Sequence, residues 1–303
     1  MPDLRFGDGV LFFPVTPFDA NDHVDAELAE RLASSGVDQG AGGVFAACGT
    51  GEFHALGLEE HAVAVRAAVA GSGGRAPVLA GVGGPLGHAL AAARQAERLG
   101  ADGLLVMPPY LVQGPQAGLV RFVAAIAAAT ELPLVVYHRG TAQFTPESLR
   151  LLLELPTVVG VKDGVGDIAL MQRLVLEAES AGRELLFFNG LLTAEMSQAA
   201  YGAIGVPRYS SAVFAMAPTI ATAFFEADRD GDEARRRRLL GEFYGPLVRV
   251  RDETPGFAVA LIKAGLRLAG EPVGPVRPPL VDPSPEQLDR LAALLERGRE
   301  LVA

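Results

Sequence analysis

Residues 133–162 read PLVVYHRGTAQFTPESLRLLLELPTVVGVK. Two short apolar runs, Pro133–Tyr137 and Val158–Lys162, flank a leucine-rich stretch. Runs that are apolar throughout, without alternating polar residues, are typical of parallel strands covered on both faces. Thr145–Glu147 marks the start of the intervening helix, because it supplies an N-cap, a first-turn proline and an acid at the positive end of the helix dipole. The stretch therefore predicts two parallel strands joined by a helix.

The same unit recurs along the chain, with helical stretches rich in alanine and leucine between the strands. No G-x-G-x-x-G motif follows the first strand, which disfavours a dinucleotide-binding sheet, and Gly81–Gly84 is interpreted as a loop after the third strand. The pattern predicts a closed (β/α)₈ TIM barrel, with an open doubly wound sheet as the alternative. The predicted strands are Val10–Val15, Gly43–Ala47, Pro77–Gly81, Gly103–Met107, Pro133–Tyr137, Val158–Lys162, Leu185–Asn189 and Ala203–Val206.

After about residue 228 the strand pattern stops and only helical patterns follow. Residues 1–228 are therefore predicted to form the barrel, and residues 229–303 a small C-terminal helical domain. The sequence SPEQ at 284–287 matches a capping box with proline at the first helical position. The predicted C-terminal helices are Glu233–Arg251, Gly256–Ala269 and Pro285–Val302.

Length and charge limit the class of protein. A chain of 303 residues accommodates a barrel of about 250 residues and an appendage. The net charge of −10 argues against a general nucleic-acid binder, which needs a basic face. It leaves an anionic small molecule open as substrate, since local donors create such a site.

The sequence also favours one compartment. No stretch approaches the ~18 consecutive apolar residues of a membrane span, and the first residues lack the pattern of a secretory signal. The single cysteine, Cys48, excludes an internal disulfide framework and a cysteine-based zinc cluster. These features predict a cytoplasmic protein without membrane attachment.

Two residues at predicted strand ends offer covalent and acid–base chemistry, because reactive groups of such barrels lie at the carboxyl ends of strands. Lys162 closes an apolar strand, where desolvation lowers the pKa of its amine. A neutral amine can attack a ketone and form an iminium that accepts electrons; the alternative is an ion pair with Asp163. Tyr137 ends the preceding strand and could relay protons, or could simply pack.

Other polar groups follow neighbouring strands. Gly49 and Thr50 belong to a CGTGE loop whose amides could form an anion nest for a carboxylate. Glu52 is predicted to hold this loop, and Cys48 to be a small packed residue rather than a nucleophile. The histidines show no metal-ligand spacing, so no metal site is predicted. Further candidates for a second polar end of the substrate, each also an ordinary loop residue when taken alone, are Asn189, Ser210, Ser211 and Arg139.

Four motifs in this order resemble those of the dihydrodipicolinate synthase and N-acetylneuraminate lyase superfamily. Phe13–Phe18 (FPVTPF) is similar to its first-strand motif, and Gly49–Glu52 (GTGE) to its G-T-T-G-E carboxylate loop. Tyr137 corresponds to the tyrosine of its Y-N motif, and Gly160–Asp163 (GVKD) to its Schiff-base lysine segment. The resemblance covers nearly the whole chain and implies a homotetramer that needs no metal or organic cofactor.

Within the superfamily the chain most resembles the 5-dehydro-4-deoxyglucarate dehydratases. The similar segments are Pro108–Leu111 (PPYL), Val161–Asp167 (VKDGVGD), Tyr209–Phe214 (YSSAVF) and Gly274–Leu280 (GPVRPPL). The resemblance implies a lyase that converts 5-dehydro-4-deoxyglucarate to 2,5-dioxopentanoate, CO₂ and water through a Schiff base on Lys162. Alternatives are a pyruvate-dependent aldolase or synthase using the same lysine, and a non-catalytic sugar-acid-binding protein.

The chain departs from the superfamily pattern at several positions. Gly49 replaces the first threonine of the carboxylate loop, and His138 replaces the asparagine after Tyr137. Leu111 stands where the synthases have a tyrosine that completes a proton relay with a neighbouring subunit. Residues 191–192 are leucines where the sialic-acid lyases have polar residues for a polyol. The last two departures disfavour the synthase and aldolase alternatives.

Overall fold

A computed structural model describes residues 4–303; residues 1–3, with which the predicted barrel domain begins, lie outside the described part. Eight parallel strands form a closed barrel in sequence order, with the first strand paired to the eighth. This confirms the predicted TIM barrel and excludes the open sheet. The strands are β1 (Leu11–Phe12), β2 (Gly43–Ala46), β3 (Val78–Gly84), β4 (Gly103–Pro109), β5 (Leu134–His138), β6 (Val158–Asp163), β7 (Leu186–Asn189) and β8 (Arg208–Ser211).

Helices surround the barrel and continue beyond it. The predicted helix start at Thr145 is confirmed, because its side chain accepts a hydrogen bond from the Ser148 amide at 3.2 Å. The barrel helices are α1 (Ala26–Asp38), α2 (Leu58–Ser72), α3 (Leu86–Arg98), α4 (Gln116–Ala127), α5 (Pro146–Leu152), α6 (Ile168–Ser180), α7 (Gln198–Ala203) and α8 (Pro218–Arg229).

The predicted C-terminal helices are confirmed. The first is continuous from Glu233 to Arg251, with a π-helical turn at Leu240–Tyr244 between its two α-helical parts. Ser284 forms the predicted capping box at the start of the last helix. Among residues 4–303, none of the helices has the length and hydropathy that a membrane span requires. The helices after the barrel are α9 (Glu233–Leu239), α10 (Gly245–Arg251), α11 (Phe257–Leu268) and α12 (Pro285–Val302).

The predicted position of the eighth strand, Ala203–Val206, was wrong. Ala203 ends α7, and Gly205 adopts a left-handed conformation with φ of 84°. Val206 is buried in a cluster with side chains of α6, so its burial reflects helix packing rather than strand pairing. The true strand, β8, contains arginine and two serines, and its polar composition concealed it from a hydrophobicity pattern.

Gly81–Gly84 was wrongly interpreted as a loop, since these residues complete β3. A Cβ atom at Gly81 would lie 2.5 Å from the Ala47 carbonyl oxygen, and one at Gly83 would lie 2.6 Å from that of Met107. These two glycines therefore allow β3 to lie close to Ala47 on one side and to Met107 of β4 on the other.

Alternation along each strand separates the barrel interior from the layer beneath the helices. A compact apolar cluster that includes Leu11, Leu79 and Val135 lies inside, where the rings of Phe13 and Phe45 stack with centroids 4.4 Å apart. Tyr137 belongs to the same inner cluster. The strand residues that alternate with these inward-facing residues point toward the helices. The same alternation sets the direction of the polar side chains at the strand ends.

The C-terminal region is fastened to the loop after β2. The carboxylate of Glu52 forms a buried ion pair with Lys263 of α11 at 2.6 Å, and it accepts a hydrogen bond from the Arg277 amide at 2.8 Å. Glu52 itself has a positive φ of 55°. This arrangement confirms that Glu52 holds the loop, and it brings residues after 250 over the barrel mouth.

Candidate active site

A cavity of about 760 Å³ lies at the carboxyl ends of the strands, between the barrel and the C-terminal region. Its wall is mostly apolar, with a few polar groups, as is usual for small-molecule sites. The wall contains Leu191 and Leu192, which stand where the sialic-acid lyases have polar residues. This side of the cavity is therefore apolar. Of the residues predicted from sequence, Gly49, Thr50, Tyr137, Arg139, Lys162 and Ser210 line the cavity.

Lys162 extends into this cavity from the end of β6. Its side chain is 5% exposed, and Nζ lies 3.7 Å from the ring centre of Phe13 and 4.6 Å from that of Tyr137. Among the described residues, Nζ has no hydrogen bond or ion pair. The alternative of an ion pair with Asp163 is wrong, because that carboxylate faces the helices and accepts hydrogen bonds from the Tyr201 hydroxyl and from loop amides.

Burial lowers the pKa of Lys162 from 10.5 to about 7, and the positive charge of Arg139 contributes in the same direction. About half of the amine is therefore neutral near pH 7. A neutral amine that is held without a partner is the form that attacks a ketone.

This pKa gives the first testable prediction. Because only the neutral amine forms a Schiff base, kcat/KM should fall about tenfold per pH unit below pH 7 and level off above it. A steady-state pH profile measures the effect, with circular dichroism at each pH to exclude unfolding. A flat profile down to pH 5 would contradict the assignment of Lys162 as the titrating nucleophile.

Tyr137 lies beside Lys162, because the two residues are directly paired in the register of β5 and β6. Its hydroxyl donates to the Gly190 carbonyl oxygen at 3.1 Å and accepts from Nη1 of Arg139 at 2.8 Å. Burial raises the pKa of Tyr137, although Arg139 opposes this shift. The phenol therefore stays protonated near neutral pH and can donate a proton.

Two glycines make room for these side chains. A Cβ atom at Gly190 would lie 2.2 Å from Cε of Lys162, and one at Gly164 would lie 2.7 Å from the Tyr137 ring. Both positions follow strand ends, where a larger residue would displace the reactive groups.

The loop after β2 provides hydrogen-bond donors. The amides of Glu52 and Phe53 close a tight turn onto the carbonyls of Gly49 and Cys48. The amides of Thr50 and Gly51 have no partner within residues 4–303, as an anion-binding nest requires. A Cβ atom added at Gly49 would have no heavy atom within 4 Å. Glycine in place of the superfamily threonine therefore leaves open space in the cavity.

Cys48 is fully buried, as predicted for a packed residue. Its Sγ lies 3.4 Å from the Ala46 carbonyl oxygen. Burial raises the pKa of its thiol to about 12. The thiolate is therefore absent at neutral pH, and Cys48 offers no nucleophile.

Asn189 and Ser211 do not reach the cavity, which corrects the expectation that they bind substrate directly. The Asn189 amide donates to the Ala194 carbonyl and the Ser197 hydroxyl, both at 3.0 Å, on the helical side of β7. Both predicted residues are fully buried. The reason is alternation: in β8 Ser210 faces the cavity, so the next residue must face outward.

Ser211 instead belongs to a buried polar group outside the barrel. Its hydroxyl donates to the carboxyl group of Glu195 and accepts from the Phe214 amide at 3.2 Å. Burial raises the pKa of Glu195 to about 7. These contacts connect β8 to the turn after β7 and so support the wall of the cavity from behind.

His138 also faces the helices. Its Nδ1 accepts a hydrogen bond from the Phe144 amide at 2.9 Å, and burial lowers its pKa. The imidazole is therefore neutral and orders the loop after β5, which carries Arg139. His138, which replaces the superfamily asparagine, therefore does not line the cavity.

Sequence reasoning missed the part of the cavity wall that the C-terminal region contributes. The wall includes Arg251 at the end of α10, Thr254, the start of α11 at Phe257, and Leu280. No pattern in the sequence marks these residues, because they belong to helices and turns far from any strand end. Only the folding of the C-terminal region over the barrel mouth brings them there.

Comparison with known families places the chain among proteins of this architecture. The model of the dihydrodipicolinate synthetase family matches residues 7–298. A relative from Streptomyces coelicolor, named "probable 5-dehydro-4-deoxyglucarate dehydratase 1", is 54% identical over 301 residues, covering 99% of this chain and 95% of the relative. A relative of the same kind from Azotobacter vinelandii is 44% identical over 290 residues, covering 95% of each chain.

Solved structures agree with the fold. The dihydrodipicolinate synthase of Oceanobacillus iheyensis superposes with a TM-score of 0.89 at 23% identity, covering 98% of this chain and 97% of the other. YagE of Escherichia coli K12, a prophage protein solved in complex with pyruvate, has a TM-score of 0.83 at 26% identity, covering 96% of this chain and 98% of its own.

Proposed function

We propose that this chain, which belongs to the dihydrodipicolinate synthetase family, is a decarboxylating 5-dehydro-4-deoxyglucarate dehydratase. The observation that carries the proposal is Lys162, a buried amine with a pKa of about 7 and no ionic partner among residues 4–303, beside the Tyr137 hydroxyl in the cavity. The names of relatives up to 54% identical over almost the full chain support the choice of substrate.

The reaction begins at the substrate ketone. Lys162 attacks C5, and loss of water from the carbinolamine gives an iminium, while the amides at Thr50 hold the adjacent C6 carboxylate. The iminium acidifies C4, and loss of a C4 proton gives an enamine that expels the C3 hydroxyl. Tyr137 donates the proton that makes this hydroxyl leave as water, a contribution of typically about 10²–10⁴-fold.

The same electron sink supports the second cleavage. After dehydration the iminium is conjugated with the C3–C4 double bond, so it accepts the electron pair of the C1–C2 bond as CO₂ leaves. Protonation of the resulting dienamine and hydrolysis of the imine release 2,5-dioxopentanoate and free Lys162. One lysine thus serves both bond cleavages.

Product identification tests the proposal. Purified protein incubated with 5-dehydro-4-deoxyglucarate should release one CO₂ per substrate and form 2,5-dioxopentanoate, measured by mass spectrometry. Condensation of pyruvate with an aldehyde, without decarboxylation, would instead support the aldolase or synthase alternative. A sugar-acid-binding protein would bind the ligand without a covalent adduct after borohydride reduction.

We also propose that residues 1–228 and 229–303 form the two domains, and that the chain assembles as a cytoplasmic homotetramer. The loop after β4 supports self-association, because three consecutive apolar side chains are exposed: Tyr110 by 64%, Leu111 by 77% and Val112 by 66%. Leu111 also has a positive φ of 60°, which is costly for a leucine. Contiguous exposed apolar residues commonly mark interfaces.

A substitution in this loop tests the assembly. Leu111→Asp should place a charge in the interface and shift the protein to a smaller species at equal concentration, measured by analytical ultracentrifugation. Leu176→Asp is the matched control, since Leu176 is a single exposed leucine on α6. An unchanged mass for Leu111→Asp would remove this loop from the interface.

A further inference from the structure

We propose that Arg251 binds the carboxylate at the far end of the substrate and thereby selects a dicarboxylic keto acid. This inference rests on the proposed function, which supplies a substrate with two carboxylates. Arg251 is the last residue of α10 and lines the same cavity as Lys162. The C-terminal domain thus contributes a permanently charged guanidinium, with the Asp252 carboxylate beside it in the cavity wall, to a cavity whose reactive groups all come from the barrel.

The guanidinium of Arg251 is held on two sides. Its Nη1 donates to the hydroxyl of Thr193 at 2.6 Å, and its Nε pairs with Asp252 at 2.8 Å. Nη2 has no partner within residues 4–303, and the side chain is only 15% exposed. An arginine fixed in this way loses little conformational entropy when a carboxylate binds to its remaining N–H groups.

The backbone conformation of Thr193 supports the proposed role of Arg251. Thr193 has a positive φ of 53°, a conformation that is uncommon for a β-branched residue. Such outliers persist where the surrounding structure demands them, and they cluster at ligand-binding sites. Here the unusual conformation accompanies a hydroxyl that fixes Arg251.

The other candidates for the distal carboxylate are uncharged, turned away or engaged at the reacting end. Ser210 lines the cavity, but its hydroxyl carries no charge and donates to the Asn189 carbonyl oxygen at 3.4 Å. Arg139 donates to the Tyr137 hydroxyl at 2.8 Å, so it belongs to the reacting end. Asn189 and Ser211 face the helices and are fully buried. Of the two guanidinium groups within residues 4–303 that line the cavity, Arg251 is therefore the one that does not contact the reacting groups.

The chemistry predicts which kinetic constant Arg251 controls. The distal carboxylate stays intact through Schiff-base formation and dehydration, so its ion pair stabilises the bound substrate and the transition states of these steps about equally. Binding energy of this kind lowers KM without raising kcat. Arg251→Gln should therefore raise KM about 10- to 100-fold and change kcat much less, as expected for a lost charge-assisted hydrogen bond.

A pair of ligands isolates the distal carboxylate. 2-Oxoadipate and 2-oxohexanoate have the same carbon chain and differ only in whether the far end is charged. Neither carries the hydroxyl that dehydration removes, so each can be trapped on Lys162 with cyanoborohydride and its half-saturating concentration measured by mass spectrometry.

Wild-type protein should prefer 2-oxoadipate by about 10- to 100-fold. Arg251→Gln should lose this preference while its half-saturation by 2-oxohexanoate stays within about twofold. Arg251→Lys should retain part of the preference, since it keeps the charge but not the planar fork. Arg249→Gln is the control, because Arg249 is exposed on the same helix and does not line the cavity.

A preference for 2-oxoadipate that persists in Arg251→Gln would overturn the inference. Equal weakening for both ligands would also overturn it, since that result indicates a structural role. Failure of the wild type to decarboxylate 5-dehydro-4-deoxyglucarate would reject the proposed function, while the ligand preference would still report on Arg251 separately.

Discussion

Lys162→Met is expected to lower turnover of 5-dehydro-4-deoxyglucarate by at least about four orders of magnitude, because the nucleophile and the electron sink are lost together. The fold should remain intact. Burial disfavours the ammonium form of Lys162, so replacement by an apolar side chain removes a desolvation penalty rather than a stabilising contact. Steady-state kinetics and thermal unfolding measure the two effects.

Covalent trapping locates the nucleophile without ambiguity, because Lys162 and Lys263 are the only lysines in the sequence. Lys263 is fully buried, pairs with Glu52 at 2.6 Å and donates to the Pro275 carbonyl oxygen at 2.9 Å. Borohydride reduction with a 2-keto acid should therefore label the peptide that contains Lys162 and leave Lys162→Met unlabelled. A label on Lys263, or persistent turnover in the variant, would refute the mechanism.

Tyr137→Phe is expected to lower turnover by two or more orders of magnitude, because it removes the hydroxyl that transfers the proton. The free energy of unfolding should change by about 1 kcal/mol or less, since one hydroxyl with two hydrogen bonds is lost. Keto-acid trapping at Lys162 should remain detectable, although slower. Rapid-quench kinetics and thermal unfolding measure these effects.

Tyr209→Phe is the matched control. Tyr209 is buried in β8, but it faces the helices, and its hydroxyl has no hydrogen-bond partner in the described part of the chain. Its loss should leave turnover within about twofold of the wild type. Equal activity of Tyr137→Phe and Tyr209→Phe would exclude Tyr137 from proton transfer.

Much of this protein was predictable from local sequence. Apolar runs without alternation predicted seven of the strands, and capping residues such as Thr145 and Ser284 predicted helix starts. Lys162 and Tyr137 were predicted from their place at strand ends, which is where a parallel barrel presents its reactive groups, and both line the cavity. The eighth strand was misplaced because its polar residues point into a cavity and a buried polar group, not into an apolar core.

The sequence by itself determined the barrel, the lysine at the end of β6 and the tyrosine beside it, because strand period and strand ends are local properties of the chain. Tertiary structure alone decided which of two adjacent serines faces the cavity, since the register of β8 sets that alternation. It also decided the lowered pKa of Lys162, because burial by residues from other strands disfavours its charged form. Arg251 reaches the cavity only through the packing of the C-terminal helices over the barrel, a long-range contact that no local pattern encodes.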